Sequence, residues 1–144
     1  MRFSRTQTTS FYNTMSDEKW LTKEMRKRFT RTFLLSFEAC RIPSVPDLYA
    51  IDLVTAINYW IEGKAIDTPG QAISYSGGQE KWIRDLEKAG GIVFVAVLVK
   101  STHHLRLVRR QEEIATIDLT NPRWHEVCER ALGEYLVWDF PPTG

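Results

Sequence analysis

The run Ile92–Val99, Ile-Val-Phe-Val-Ala-Val-Leu-Val, limits the possible folds more than any other stretch of the chain. A half-exposed strand alternates apolar and polar residues with a period of two, and this run does not alternate. It reads as a strand covered on both faces, as in a parallel or mixed sheet held between helices. It is far shorter than the roughly 20 apolar residues that span a bilayer. The whole chain is 144 residues, 43% hydrophobic and 26% charged, which suits one globular domain. The expectation is a single α/β domain with a mixed central sheet flanked by helices.

The flanking segments supply those helices and further strands. Residues 1–15 are rich in Ser, Thr, Arg and Gln and read as a flexible arm before a domain over 16–140. Ser16 can cap a helix whose first turn carries Asp17 and Glu18, acids that suit the positive end of the helix dipole. Leu21, Met25, Phe29 and Phe33 then recur every fourth residue as one apolar stripe. Residues 33–42 are open between helix and first strand, and Pro43 and Pro46 end whatever precedes them. Leu48–Val54 and Asn58–Lys64 read as strands joined by a hairpin, although Thr55-Ala56-Ile57 is poor in turn formers. A loop with Pro69, Gly70, Gly77 and Gly78 leads to a helix over Gln79–Ala89, stopped by Gly90-Gly91. After the apolar strand, Leu105–Arg110 reads as an edge strand, and Asn121-Pro122 opens a third helix with proline at its first position. The tail from Val137 ends in Pro141-Pro142 and is expected to be loose, residues 141–144 lying beyond the domain.

Cys40 and Cys128 form no Cys-x-x-Cys pair, and His103, His104 and His125 complete no zinc spacing, so reduced structural thiols are expected. No long apolar stretch of the secretory kind opens the chain, and a cytoplasmic setting with no membrane partner is the expectation. A net charge of +1 rules out indiscriminate binding to nucleic acid through bulk charge, so any such site must be local.

Chemistry concentrates in Pro46-Asp47 and, fifteen positions after the aspartate, Glu62-Gly63-Lys64. Alternate residues of a strand share a face, so Glu62 and Lys64 point the same way, about 6 to 7 Å apart. If the strand carrying Asp47 pairs with theirs, two carboxylates and the Gly63 carbonyl converge. Such oxygens suit Mg²⁺ or Mn²⁺, and Lys64 can orient a water or offset charge on a phosphate. These are the parts that phosphodiester hydrolysis needs. Alone, Glu-x-Lys on a strand most often marks a solvated ion pair; the strand-breaking proline and the following helix–strand unit add weight to the catalytic reading.

The stretch PSVPDLYAID…NYWIEGKA…GGQEKWIRDLEKAGGIVFVAV, about 55 residues from the middle of the chain, resembles the PD-(D/E)xK nucleases, in particular the VRR-NUC branch. The resemblance rests on Pro46-Asp47-Leu48, Glu62-Gly63-Lys64, Gln79, the glycine at 90 or 91 and the strand from Ile92. It implies a restriction-endonuclease-like domain with an α-β-β-β-α-β core. It further implies a metal held by Asp47, Glu62 and the Gly63 carbonyl, with Lys64 assisting the water and Gln79 acting near the lysine or the phosphate. A further acid on the first helix is implied, with Glu24 the candidate and Glu18 its competitor. Ser44 stands where the branch usually has glycine, and no glycine-rich turn joins Asp47 to Glu62.

Stand-alone phage and bacterial members of this branch imply a homodimer acting on branched DNA, such as a four-way (Holliday) junction. Lys23, Lys27, Arg28 and Arg31 on the first helix, and Arg106, Arg109 and Arg110 further on, are candidate phosphate contacts, with a solvated face or a protected sheet edge as the bland alternatives. A catalytically silent module that keeps the nuclease fold, binding DNA or another protein, is the second functional expectation.

Overall fold

A computed structural model describes residues 17–37 and 45–140 of the chain. The arm at 1–15, the tail at 141–144, Cys40 and Ser44 lie outside the described residues. The element order is α1 (Asp17–Arg28), β1 (Thr32–Ser36), β2 (Leu48–Asp52), β3 (Asn58–Ile66), α2 (Gln79–Lys88), β4 (Val93–Val99), β5 (His104–Arg109), β6 (Glu112–Asp118) and α3 (Trp124–Asp139). The strands form one sheet in the order β1-β2-β3-β4-β5-β6. Every neighbouring pair is antiparallel except β3 and β4, which run parallel through the α2 crossover. This is a single α/β domain with a mixed sheet flanked by helices, and its first six elements follow the expected α-β-β-β-α-β order.

The central position of β4 explains its sequence. Phe94, Ala96 and Leu98 enter a large core with α1 and α3, which holds Leu21, Met25, Trp124, Leu132 and Leu136. Val95, Val97 and Val99 enter a smaller cluster on the opposite face, where Ile83 of α2 packs. Both faces of the strand are dry, so no polar alternate is tolerated. Phe94 also meets Tyr59 and Tyr135 edge to face, contacts that contribute about 0.5–1.5 kcal/mol each beyond area burial.

The β2–β3 hairpin forms without glycine because Asp52 builds its turn. One carboxylate oxygen accepts the Val54 N–H and the other accepts the Thr55 hydroxyl, at 3.1 and 2.8 Å. This aspartate-based turn substitutes side-chain oxygens for backbone acceptors. Beside this turn, Glu129 of α3 fixes the α1–β1 connection by accepting from Thr30 N, Arg31 N and Thr32 Oγ1.

Four expectations need correction. Phe33 leaves the α1 stripe: it lies on β1 and is exposed, because the chain turns after Phe29. Leu105–Arg110 is not an edge, since β6, unread in the sequence, pairs outside β5. The third helix starts at Trp124 rather than beside Pro122. The segment from Val137 is not loose up to Asp139, because Leu136 is buried and the helix runs on past it. Among the described residues no helix is long and apolar enough to cross a membrane.

Candidate active site

The chemistry-bearing residues gather where β2 begins beside β3. Leu48 opposes Ile61, so Asp47 comes opposite Glu62 and Pro46 opposite Gly63. Proline has no N–H, and the regular ladder cannot extend past this point. The Gly63 N–H instead donates to Asp47 Oδ2 at 2.8 Å, which fixes that carboxylate at the strand end. Glycine is required here by close approach. A Cβ at Gly63 would stand 2.8 Å from Thr22 Cγ2 and 3.3 Å from the Glu18 carbonyl, both on α1.

Glu62 and Lys64 project from the other side of β3, toward α2. Both are buried, at 3% and 6% exposure, and Gln79 beside them is buried too. Gln79 is the first residue of α2, delivered by Gly77 and Gly78, whose φ values of 45° and 83° favour glycine. Its side-chain amide bridges the pair: Nε2 donates to Glu62 Oε2 at 2.8 Å, and Oε1 accepts from Lys64 Nζ at 2.7 Å. Ser76 N, at 3.2 Å, and Ser76 Oγ, at 3.4 Å, also donate to Gln79 Oε1. Lys64 Nζ lies 3.6 Å from Glu62 Oε2 and 5.1 Å from the centre of the Tyr75 ring.

Burial and the neighbouring Asp47 charge push the Glu62 carboxyl up to about 7; Lys64, Gln79 and the Asp47 backbone pull it back only in part. Its Oε1 is buried with no hydrogen-bond partner. An acceptor oxygen desolvated without a donor is costly. A cation between Asp47 and Glu62 would satisfy that oxygen and remove the repulsion. Among the described residues no three His, Cys, Asp or Glu side chains converge. Two carboxylates, with the Gly63 carbonyl on the strand between them, fit a hard ion that retains several waters, as Mg²⁺ does.

The structure therefore brings together Asp47, Glu62, Gly63, Lys64 and Gln79. It does not gather Glu24 with them, since Glu24 pairs with Arg28 one turn along α1 at 2.7 Å. The first-helix acid whose backbone overlies Gly63 is Glu18. Tyr75 and the glycines of the 70–78 loop could be read as a rim over the site, with a plain connector the commoner alternative, and Tyr75 does lie against Lys64. Ser76 was not legible as a partner of this cluster, and the glycine pair after it was the available signal, because it permits a tight approach to the helix start.

The basic residues divide. Lys23, Lys27, Arg28 and Arg31 are exposed. Arg110 is exposed as well, while Arg106 pairs with Glu113 at 2.7 Å and donates to the Pro69 carbonyl. Arg109 is corrected as a phosphate contact: it is 6% exposed, holds Glu87 through two hydrogen bonds and donates to Tyr135. It ties the end of α2 to α3. Trp60 shares the Glu62 face and packs between Phe37 and Tyr49. Cys128 is a free, buried thiol that burial pushes up, as expected of a structural cysteine. A separate cavity of about 280 Å³, lined by Arg31, Thr32, Val54, Glu129, Val137 and Trp138 among others, includes none of the cluster.

Compared with protein-family models and with curated proteins, the chain matches none.

Proposed function

We propose that the chain is a divalent-metal-dependent DNA endonuclease of the PD-(D/E)xK type, VRR-NUC-like, acting inside the cell as a homodimer on branched duplexes such as four-way junctions. The observation that carries this reading is the buried Glu62 carboxylate, one oxygen unpartnered, beside Asp47 and a buried lysine. Asp47, Glu62 and the Gly63 carbonyl would hold Mg²⁺ or Mn²⁺, which when bound supplies Lewis acidity toward a phosphoryl oxygen and a more acidic water. Gln79 holds Lys64 Nζ in place, and an ammonium has three donors, so Lys64 can also donate to a phosphate oxygen or a water. The α2 start and the Tyr75 ring exclude bulk solvent from the lysine, which strengthens its field at the phosphate.

Cleavage of labelled linear, flapped and four-way-junction DNA with Mg²⁺ or Mn²⁺ tests the reading. Junction cutting that disappears in both Asp47→Ala and Lys64→Ala is expected. A folded protein that cuts no substrate with either metal would sink it. The lack of a third converging acid among the described residues favours a second reading, a catalytically silent nuclease-fold module that binds DNA or protein. Calorimetric titration separates the two: a silent module binds no divalent ion, whereas the nuclease binds one and loses it in Glu62→Ala.

A further inference from the structure

The two faces of the sheet differ over β1 and β2. On one face Leu34, Ala50, Tyr59 and Ile61 join the large core. The opposite face is dry around β4, where Val95, Val97 and Val99 pack with Ile83 of α2. Residues opposed across an antiparallel pair share a face. Phe33 and Leu35 of β1 oppose Ile51 and Tyr49 of β2, and these oppose Asn58 and Trp60 of β3. Alternation along β3 carries the same face on to Glu62 and Lys64. Its β1–β2 part is open. Phe33 is 51% and Leu35 46% exposed, and Tyr49, Ile51 and Trp60 are half-buried.

Three aromatic rings lie together on this open face. Trp60 stands between Phe37, 5.5 Å away and tilted by 36°, and Tyr49, 5.0 Å away and tilted by 59°. Trp60 precedes Glu62 by two residues, about 6–7 Å along the strand. Aromatic rings on an open sheet face, continuous with a site for phosphate, form the kind of surface on which unpaired bases stack. None of the side chains that β1 and β2 turn to this face is charged. The face therefore neither repels nor holds a phosphate, and what it attracts is the flat apolar surface of a base. The phosphate falls to Lys64 beside it. A base inside a duplex is already stacked on both sides and must be splayed out before it can use such a surface.

We propose that the open face centred on Trp60 is a stacking subsite for unpaired nucleobases of a DNA strand whose phosphate lies at Lys64. The proposal rests on the nuclease reading for the place of that phosphate and deepens it, because the branch recognised then carries unpaired nucleotides next to the cut.

Fluorescence anisotropy in EDTA reads the subsite without metal or cleavage. The probes are a labelled single strand of about 12 nucleotides and an abasic strand of the same length and charge. Stacking one base on an aromatic side chain is equivalent to about 5- to 150-fold in affinity. Wild type is expected to bind the strand with bases at least about 10-fold more tightly than the abasic one. Trp60→Leu keeps apolar bulk and removes the large π surface, and it is expected to lose most of that difference. Photocross-linking of an iodouracil-containing strand to the wild-type protein, followed by peptide mapping, reads the contact with no substitution. Adducts are expected on Trp60, Tyr49 or Phe37. Equal binding of the two strands would overturn the proposal and leave the face to a protein partner. Adducts confined to other peptides, or a Trp60→Leu variant that keeps the full difference, would overturn it too. A chain that stacks bases yet cuts nothing keeps the subsite and loses the nuclease reading; a chain that cuts without preferring bases loses only the subsite.

Discussion

The Gln79 side-chain amide donates to Glu62 Oε2 at 2.8 Å, so a residue at the start of α2 orients a carboxylate at the centre of β3. The same amide accepts from Lys64, and one side chain thereby sets the spacing of acid and base. Gln79→Ala is expected to leave the fold intact and lower metal-dependent cleavage about 10–100-fold, the usual loss when a group orienting a ligand is removed. Single-turnover cleavage at saturating DNA over a Mg²⁺ titration checks it; an unchanged rate would show that Lys64 and Glu62 hold their geometry alone.

Glu62 predicts a pH dependence of stability in metal-free protein. Its carboxyl sits near 7 in the fold against an ordinary 4.5, so the folded state binds a proton that the unfolded state releases. Stability is then fullest below pH 4.5 as far as this group is concerned, and falls as pH rises from 4.5 to 7. At 1.36 kcal/mol per unit, the loss is about 3 kcal/mol. Glu62→Gln should abolish this component, and denaturant titrations in EDTA at pH 5 and pH 8 measure it. Saturating Mg²⁺ should return stability to wild type at pH 8 and do little for the Gln variant.

Gly63→Ala tests the contact between the site and α1. The new methyl meets Thr22 Cγ2 at 2.8 Å, and Thr22 is itself buried. Overpacking of this kind costs about 1–3 kcal/mol. Adding Thr22→Ser, which removes Cγ2, should recover part of the loss. A double-mutant cycle from thermal melts gives the coupling, and strict additivity would contradict the packing argument.

The two classes of basic residue should separate in a salt titration of DNA binding. Lys23→Ala and Lys27→Ala change exposed cations, and each is expected to reduce the slope of log K against log salt by about 1. Arg109→Ala should leave the slope unchanged in folded protein. Its effect is on stability, because half-buried Glu87 loses two charge-assisted hydrogen bonds and keeps only the Val93 N–H at 3.1 Å and Arg110 at 3.4 Å, a loss of about 1.5–3 kcal/mol.

Much of this was legible in the residues. Val93–Val99 announces two covered faces because every position is apolar, and Glu62-Gly63-Lys64 places acid and base together because a strand has a period of two. What was hidden was set by distant partners. β6 escaped notice because its outward edge is charged and only Ile117 is fully buried within it. Arg109 looks like any arginine in a basic run until Glu87, twenty-two residues earlier, is brought against it. The fate of Glu24 turned on helix phase: Glu18 and Thr22 face β3, and Glu24 turns to Arg28. Asp52 illustrates the reverse, a turn with no glycine signal made by one carboxylate.

Glu129 also has a temporal consequence. It secures the connection between α1 and β1 from 98 positions away, through Arg31 N. During synthesis the amino-terminal segment emerges long before that carboxylate exists, and contacts of large sequence separation form late. β1 therefore waits through the synthesis of about a hundred further residues before the carboxylate that anchors its entry exists.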